Sequence, residues 1–180
     1  MANIQEITLG GGCFWCIESA FNKIKGVQSA VSGYSNGHTE NPTYEAVCTG
    51  NTGYNEVVRV TFDANLIDFT TILEIFYGLH DPTQLNKQGN DIGTQYRGGI
   101  YYHNTEQKAV AEAFIEQLKA DNIYSAPIVT EVEPVQNYYP AEDYHQDYFN
   151  NNPANTYCNL VVGPKIAKFK KRFVEYLKAE

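Results

Sequence analysis

No apolar run in these 180 residues approaches the ~20 needed to cross a bilayer, so no membrane role is expected. The first residues, Met1 to Glu6, carry neither a basic region nor an apolar stretch. No signal peptide is therefore expected, and the cytoplasm is the default compartment. Positive charge is scarce: 13 Lys and Arg stand against 21 Asp and Glu, for a formal net charge of −8. That balance argues against general binding to nucleic acid or to anionic lipid. Cysteine is scarce as well. Cys13, Cys16, Cys48 and Cys158 are too few for a disulfide-rich scaffold. No second cysteine pair follows Cys13-x-x-Cys16, and His38, His80, His103 and His145 are scattered, so a structural zinc site lacks its other ligands. Neither a metal nor a cofactor is expected. Internal repeats, low-complexity tracts and linkers are also missing.

What remains suits one globular domain over residues 1–180, with 43% hydrophobic and 19% charged residues to build and solvate a core. Its organising stretch is Gly10-Gly11-Gly12-Cys13-Phe14-Trp15-Cys16. Ile4 to Leu9 upstream reads as a strand, and Ile17, Ala20, Phe21 and Ile24 downstream recur at helical spacing. Cys13 thus falls at a strand-to-helix turn. Unpaired backbone N–H groups and the helix dipole there favour an anion, which predicts a lowered thiol pKa and a nucleophile. The plain alternative is a buried cysteine acting as a small hydrophobe. Phe14 and Trp15, the only tryptophan, could wall a pocket for a small apolar group.

Glu56 to Phe62 is the clearest strand, with Val58, Val60 and Phe62 on one face and Arg59 and Thr61 on the other. Glu56 shares the apolar face. It is either a desolvated carboxyl with a raised pKa, fit to donate a proton, or a strand-end residue turned to solvent. Asp68 should cap a helix running to His80, and Asp81-Pro82 should end it. Thr83 to Gly99 reads as a long polar loop, a reasonable place for binding residues. A strand at 100–103, a helix at 105–122, a strand at 128–135 and a short helix at 141–150 follow, the last broken by Asn150 to Pro153. A final helix starts near Pro164. This order predicts an α+β fold, a two-layer ferredoxin-like sandwich of a mixed sheet with flanking helices and a long C-terminal tail.

Several stretches in order give the chain a family likeness: Gly11-Gly12-Cys13-Phe14-Trp15; Asn41-Pro42-Thr43-Tyr44 through Gly50; Thr52-Gly53 with Glu56-Val57-Val58; His80-Asp81-Pro82; Gln88-Gly89-Asn90-Asp91; Gly93 to Arg97; and Ala141 to Gln146. Over nearly its whole length it resembles peptide methionine sulfoxide reductases of the A class. The resemblance implies that Cys13 is the nucleophile and Glu56 the proton donor to the sulfoxide oxygen. It implies that Phe14 and Trp15 receive the substrate's S-methyl group, that Tyr44 and Tyr96 hydrogen-bond the oxygen, and that Asp91 is a polar member of the site. Cys13 would attack the sulfoxide sulfur and become a sulfenic acid, which a second thiol converts to a disulfide. Thioredoxin would reduce that disulfide. The substrates implied are the S epimer of methionine sulfoxide, free and in oxidised proteins, in a monomeric enzyme of protein repair under oxidative stress.

One departure stands out. Many members carry glycine where this chain has Cys16. Cys13 and Cys16 lie three apart at a helix start, nearly on one face, so Cys16 is the first candidate resolving thiol on proximity. Cys158, in its Tyr157-Cys158 context, is the second and could relay the disulfide to the surface. Cys48 reads as structural. A thioredoxin-like C-x-x-C disulfide oxidoreductase is the competing function. A cysteine protease pairing Cys13 with His145 lacks the local papain signature.

Overall fold

The computed structural model describes residues 2–152 and 154–178. Its sheet has six strands in the order β7-β6-β1-β3-β2-β8. The four central ones are β1 (Ile4–Gly10), β2 (Val27–Ser35), β3 (Asn55–Asp63) and β6 (Gly99–Tyr102). β3 pairs antiparallel with both β1 and β2, and β6 pairs antiparallel with β1. Helix α1 (Phe14–Phe21) links β1 to β2, and α3 (Phe69–Leu79) links β3 to β6. This is the ferredoxin-like arrangement expected from the order of elements. β7 (Glu131–Pro134) extends it parallel to β6, which makes the sheet mixed, and β8 (Tyr139–Pro140) lies against β2.

Alternation explains which face is covered. Ile7 and Leu9 of β1 stand opposite Val60 and Val58 of β3, and Leu9 also opposes Ile100 of β6. All five are fully buried. Ala30, Ser32 and Tyr34 continue the same face on β2, opposite Val60, Val58 and Glu56. Helix α1 packs here through Ile17, Ala20 and Phe21, and α3 adds Ile72, Leu73, Ile75 and Phe76 to the same core. The opposite face is more polar: Thr8 hydrogen-bonds His103 at 2.9 Å, and the Arg59 guanidinium lies 3.8 Å from the centre of the Tyr138 ring. Asp68 caps α3 as expected, its Oδ1 accepting the Thr71 N–H at 2.8 Å.

Other elements differ from the sequence reading. The strand expected over 128–135 is ordered only at Glu131–Pro134, because its one partner, β6, offers four residues. The loop at 83–99 is not structureless: it holds a small hairpin, β4 (Lys87–Gln88) with β5 (Asp91–Ile92), and a 3-10 turn at Thr94–Tyr96. The helix expected over 141–150 is broken. Ala141 and Gln146 are engaged by the backbone of Ser32, and Asp147 sits in the left-handed region at φ 56°, leaving a 3-10 turn and the short α5 (Tyr148–Asn151). Pro153, read as its breaker, lies outside the described residues. Two further helices, α2 (Tyr44–Cys48) and α4 (Thr105–Ala120), precede this region. The final helix, α6 (Gly163–Arg172), is entered through a π-helical turn at Cys158–Val162. The chain then returns to the core, where Leu177 bridges to Ile24.

Candidate active site

The site is built at the join of β1 and α1. Gly12 adopts φ 91°, open to glycine at little cost. A side chain at Gly11 would meet the His80 ring at 2.9 Å, and one at Gly12 would meet Gln88 at 2.8 Å. The glycines therefore let the turn press against both residues and set Cys13 as the N-cap of α1.

The thiol itself departs from the reading of a lowered pKa. Cys13 is only 7% exposed. Burial pushes it well above the usual thiol value, and the neighbouring Cys16 and Glu56 add to the shift, while the Trp15 backbone N–H works against it. The helix start does not offset this, because α1 is eight residues long and its first N–H is taken by another acceptor. That acceptor is Glu56, whose Oε1 receives the Phe14 N–H at 3.3 Å.

Glu56 is 1% exposed, on the face it shares with Val58, Val60 and Phe62, so it does not turn to solvent. Its Oε2 has no hydrogen-bond partner. Burial raises its pKa from 4.5 to about 8, opposed by the Phe14 N–H and assisted by Asp91 and Cys16. At neutral pH it holds its proton.

A cavity of about 230 Å³ is lined by Cys13, Trp15, Tyr44, Asp91, Tyr96, Asn155 and Tyr157; Glu56 is not in the lining and is tied to it through the Phe14 N–H next to Cys13. Tyr44 comes from α2, where Thr43 caps the helix and Glu142 accepts the Tyr44 N–H at 3.0 Å. Asp91 comes from β5, and its carboxylate accepts the Tyr157 hydroxyl. Tyr96 ends the 3-10 turn at Thr94–Tyr96. Arg97 pins that turn by donating to Thr94 O at 2.8 Å, to Gly53 O at 3.0 Å and to Glu131 at 3.1 Å. Burial, then the charge of Glu56, raises the pKa of both Tyr44 and Tyr96, which keeps their hydroxyls as donors.

Phe14 is not part of the lining. It is fully buried behind it, its ring stacked on Tyr44 and 5.2 Å from His145. Trp15 is the aromatic wall, lying flat on Tyr148 at 3.9 Å with its Nε1 donating to His145 Nδ1 at 3.1 Å.

Cys13 and Cys16 are in hydrogen-bond contact, and this contact first of all lowers the Cys16 thiol. All four cysteines are free. Cys158 is fully buried, so its sulfur does not reach the surface in this state. Cys48, by contrast, is exposed, at the end of α2. Among the described residues, no cluster of three His, Cys, Asp or Glu side chains is placed to hold a metal ion. Likewise, no helix is long and apolar enough to cross a membrane.

The sequence reading placed Cys13, Trp15, Tyr44, Asp91 and Tyr96 at a site, and they line one cavity. It did not place Tyr157, Asn155, His145 or Tyr148 there. The only advance signals were the family-like stretch Ala141 to Gln146 and the tyrosine next to Cys158.

The family model described as peptide methionine sulfoxide reductase matches residues 5–177. A peptide methionine sulfoxide reductase MsrA of Pasteurella multocida is 56% identical over 174 residues, covering 97% of this chain and 99% of that protein. Among solved structures, reduced Mxr1 from Saccharomyces cerevisiae is similar with a TM-score of 0.78 and 32% identity, over 86% of this chain and 89% of that one. Mxr1 has also been solved in complex with Trx2. Methionine sulfoxide reductase A of Corynebacterium diphtheriae gives a TM-score of 0.75 at 35% identity, over 84% and 76% of the two chains.

Proposed function

The chain belongs to the peptide methionine sulfoxide reductase family and is an oxidoreductase that reduces peptide methionine sulfoxide; from that premise we propose that Cys13 is its nucleophile and Glu56 its proton donor. The observation that carries this assignment is the single cavity where Cys13 meets Trp15, Tyr44, Asp91 and Tyr96, with a protonated carboxyl bonded to the next residue of the turn.

The Cys13 sulfur attacks the sulfoxide sulfur, and its thiol proton passes to the Glu56 carboxylate once that carboxyl has given up its own. Glu56 delivers its proton to the sulfoxide oxygen, where negative charge grows. The neutral hydroxyls of Tyr44 and Tyr96 donate to that oxygen, and their stabilisation increases as the charge develops. The sulfur–oxygen bond of the substrate breaks. Its oxygen, carrying the proton from Glu56, ends on Cys13 as a sulfenic acid, and methionine leaves as the sulfide. Trp15 forms the wall for the S-methyl group, and Phe14 backs the pocket through Tyr44 and His145. Asp91 orders Tyr157 across the opening.

Cys16 then condenses with the sulfenic acid, releasing water and forming the Cys13–Cys16 disulfide. Its contact with Cys13 and its lowered pKa support this order. Cys158 is the second resolving thiol, and its burial means the π-helical turn must open before a reductant reaches it. Thioredoxin is the reductant, a reading supported by the complex of the relative Mxr1 with Trx2. The enzyme acts as a monomeric unit spanning residues 1–180. It works in the cytoplasm to repair oxidised proteins under oxidative stress, and it takes the S epimer free or in a polypeptide.

The test is turnover of separate S and R epimers of a blocked methionine sulfoxide with dithiothreitol. The S epimer alone should be reduced, and Cys13→Ser should abolish the reaction. Reduction of the R epimer, or a Cys13→Ser variant that still turns over, would overturn the assignment.

A further inference from the structure

A second cavity, of about 530 Å³, lies away from the reacting thiol, where the end of α3, the loop after α4 and helix α6 meet. Lys165, Lys168 and Arg172 all line it. They sit at i, i+3 and i+7 of α6 and therefore share one face. The ion pairs among the described residues are Arg97–Glu131 and Lys119–Glu116, so none of these three cations forms an ion pair with another described residue. Asp81 is the one acidic residue in the lining. Its carboxylate is already committed to the Thr83 N–H at 2.9 Å, the Thr83 hydroxyl at 2.6 Å and Gln84 at 3.4 Å.

In a chain of net charge −8, this concavity sets three cations against the single carboxylate of Asp81, an excess of positive charge that suits an anion from outside. Tyr77, Tyr124 and Phe169 give the same cavity flat apolar walls. Tyr77 is itself buried, its hydroxyl donating to Thr130 at 3.0 Å and its ring packed on His80 and Phe114, so it serves as the floor. The volume is in the range of pockets that hold a small organic ligand.

We propose that this cavity binds a small molecule carrying a phosphate group on a flat ring system, the phosphate held by Lys165, Lys168 and Arg172 and the ring by Tyr124 and Phe169. Such a ligand would lie one residue away from the catalytic turn. His80 lines the cavity, and its ring is the group that a side chain at Gly11 would strike. Occupancy is thereby placed to brace His80 against the Gly10–Gly12 backbone.

The experiment is isothermal titration calorimetry of the full chain with adenosine monophosphate and with inorganic phosphate, at ionic strength held constant with sodium chloride. Adenosine monophosphate should bind saturably at one site, and inorganic phosphate should compete more weakly. Joint substitution Lys165→Ala, Lys168→Ala, Arg172→Ala should weaken binding by at least roughly tenfold. Lys170→Ala with Lys171→Ala, on exposed positions of the same helix, should leave it unchanged. Should the triple variant lose its thermal unfolding transition, Lys168→Ala alone, at an exposed position, should still weaken binding severalfold. Binding that does not saturate, that is equally strong for phosphate alone, or that falls equally in the Lys170/Lys171 variant would overturn the proposal. The readout is binding, so it stands or falls independently of the reductase chemistry.

Discussion

Phe14 and Glu56 are joined by one hydrogen bond, from the backbone N–H of the residue after Cys13 to a buried carboxyl oxygen, at 3.3 Å. The first donor of α1 therefore serves an acid and not the thiol. This explains why the same turn that reads as a thiolate-stabilising helix start holds a thiol raised by burial. It also ties the acid to the residue next to the reacting cysteine, 42 residues distant in sequence.

Glu56 should carry an acid carbonyl band in the infrared at neutral pH that disappears as pH rises through about 8. The Glu56→Gln variant should lack the band and lose roughly 10²- to 10⁴-fold in activity, the usual contribution of a positioned general acid. The stability sign follows from the raised pKa. Between 4.5 and about 8 the folded chain keeps a proton that the unfolded chain has lost. Ionisation therefore opposes folding across that window, and wild-type stability drains away as pH rises through it. Denaturant unfolding should show Glu56→Gln gaining on the wild type from pH 4.5 to 8 and holding level outside that window.

The cysteines separate by reductant. Cys16→Ser should still form about one methionine per enzyme in a single turnover, and the sulfenic acid should then be trapped by a dimedone-type reagent. The wild type should trap little, because Cys16 already touches Cys13. Cys158→Ser should turn over normally with dithiothreitol and slowly with thioredoxin. Equal rates with both reductants would remove Cys158 from the relay.

Much of this was legible in the sequence, for reasons that can be named. The ferredoxin-like core is written in local periodicity: the alternation in β1 and β3 and the apolar spacing of α1 and α3 set strand faces and helix stripes without outside help. The Gly-rich turn announced Cys13 for the same local reason. Glu56 was ambiguous because periodicity gives its face but not whether the strand end is covered. The cover comes from Tyr34 opposite and from α1, a tertiary fact. The segment after Ala141 was least legible. Its shape is imposed by Ser32, Glu18 and Trp15, more than a hundred residues upstream, so its own helical pattern is overridden.

Arg97 should matter out of proportion to its distance from the chemistry. Its side chain is 12% exposed, and it ties the turn that ends in Tyr96 to Gly53 and Glu131. Arg97→Lys keeps the charge and loses the planar fork, which serves three acceptors at once. It should lower kcat by about tenfold with a smaller change in KM, because the Tyr96 hydroxyl acts mainly on charge that grows in the transition state. A variant in which KM alone rises would mean that Tyr96 binds the ground state.

Trp15 is the only tryptophan, so its emission reports directly on the site. Its ring is held by Tyr148 and its Nε1 by His145, and both partners belong to the segment that Glu18 anchors. Glu18 is 2% exposed, accepts from the Ser32 hydroxyl at 2.7 Å and receives the Asp147 N–H. Glu18→Ala leaves the buried Ser32 hydroxyl without its acceptor, at a cost of about 1–3 kcal/mol, and releases the Asp147 N–H. It also loosens the chain at Asp147, whose left-handed backbone then keeps only the contacts with Asn150 and Asn151 inside α5 and the Gln146–Ser32 bonds beside it. The variant should therefore lose stability in denaturant, shift its Trp15 emission to the red and raise KM. His145 provides an independent check. Its Nδ1 accepts from Trp15, which requires the neutral ring, and burial lowers its pKa below 6.5. On acidification below that value Nδ1 gains a proton and the bond to Trp15 is lost. Trp15 emission should thus titrate below pH 6.5 in the wild type and stay flat in His145→Phe. A titration that survives in His145→Phe would assign the change to another group and break the link from Glu18 to the pocket wall.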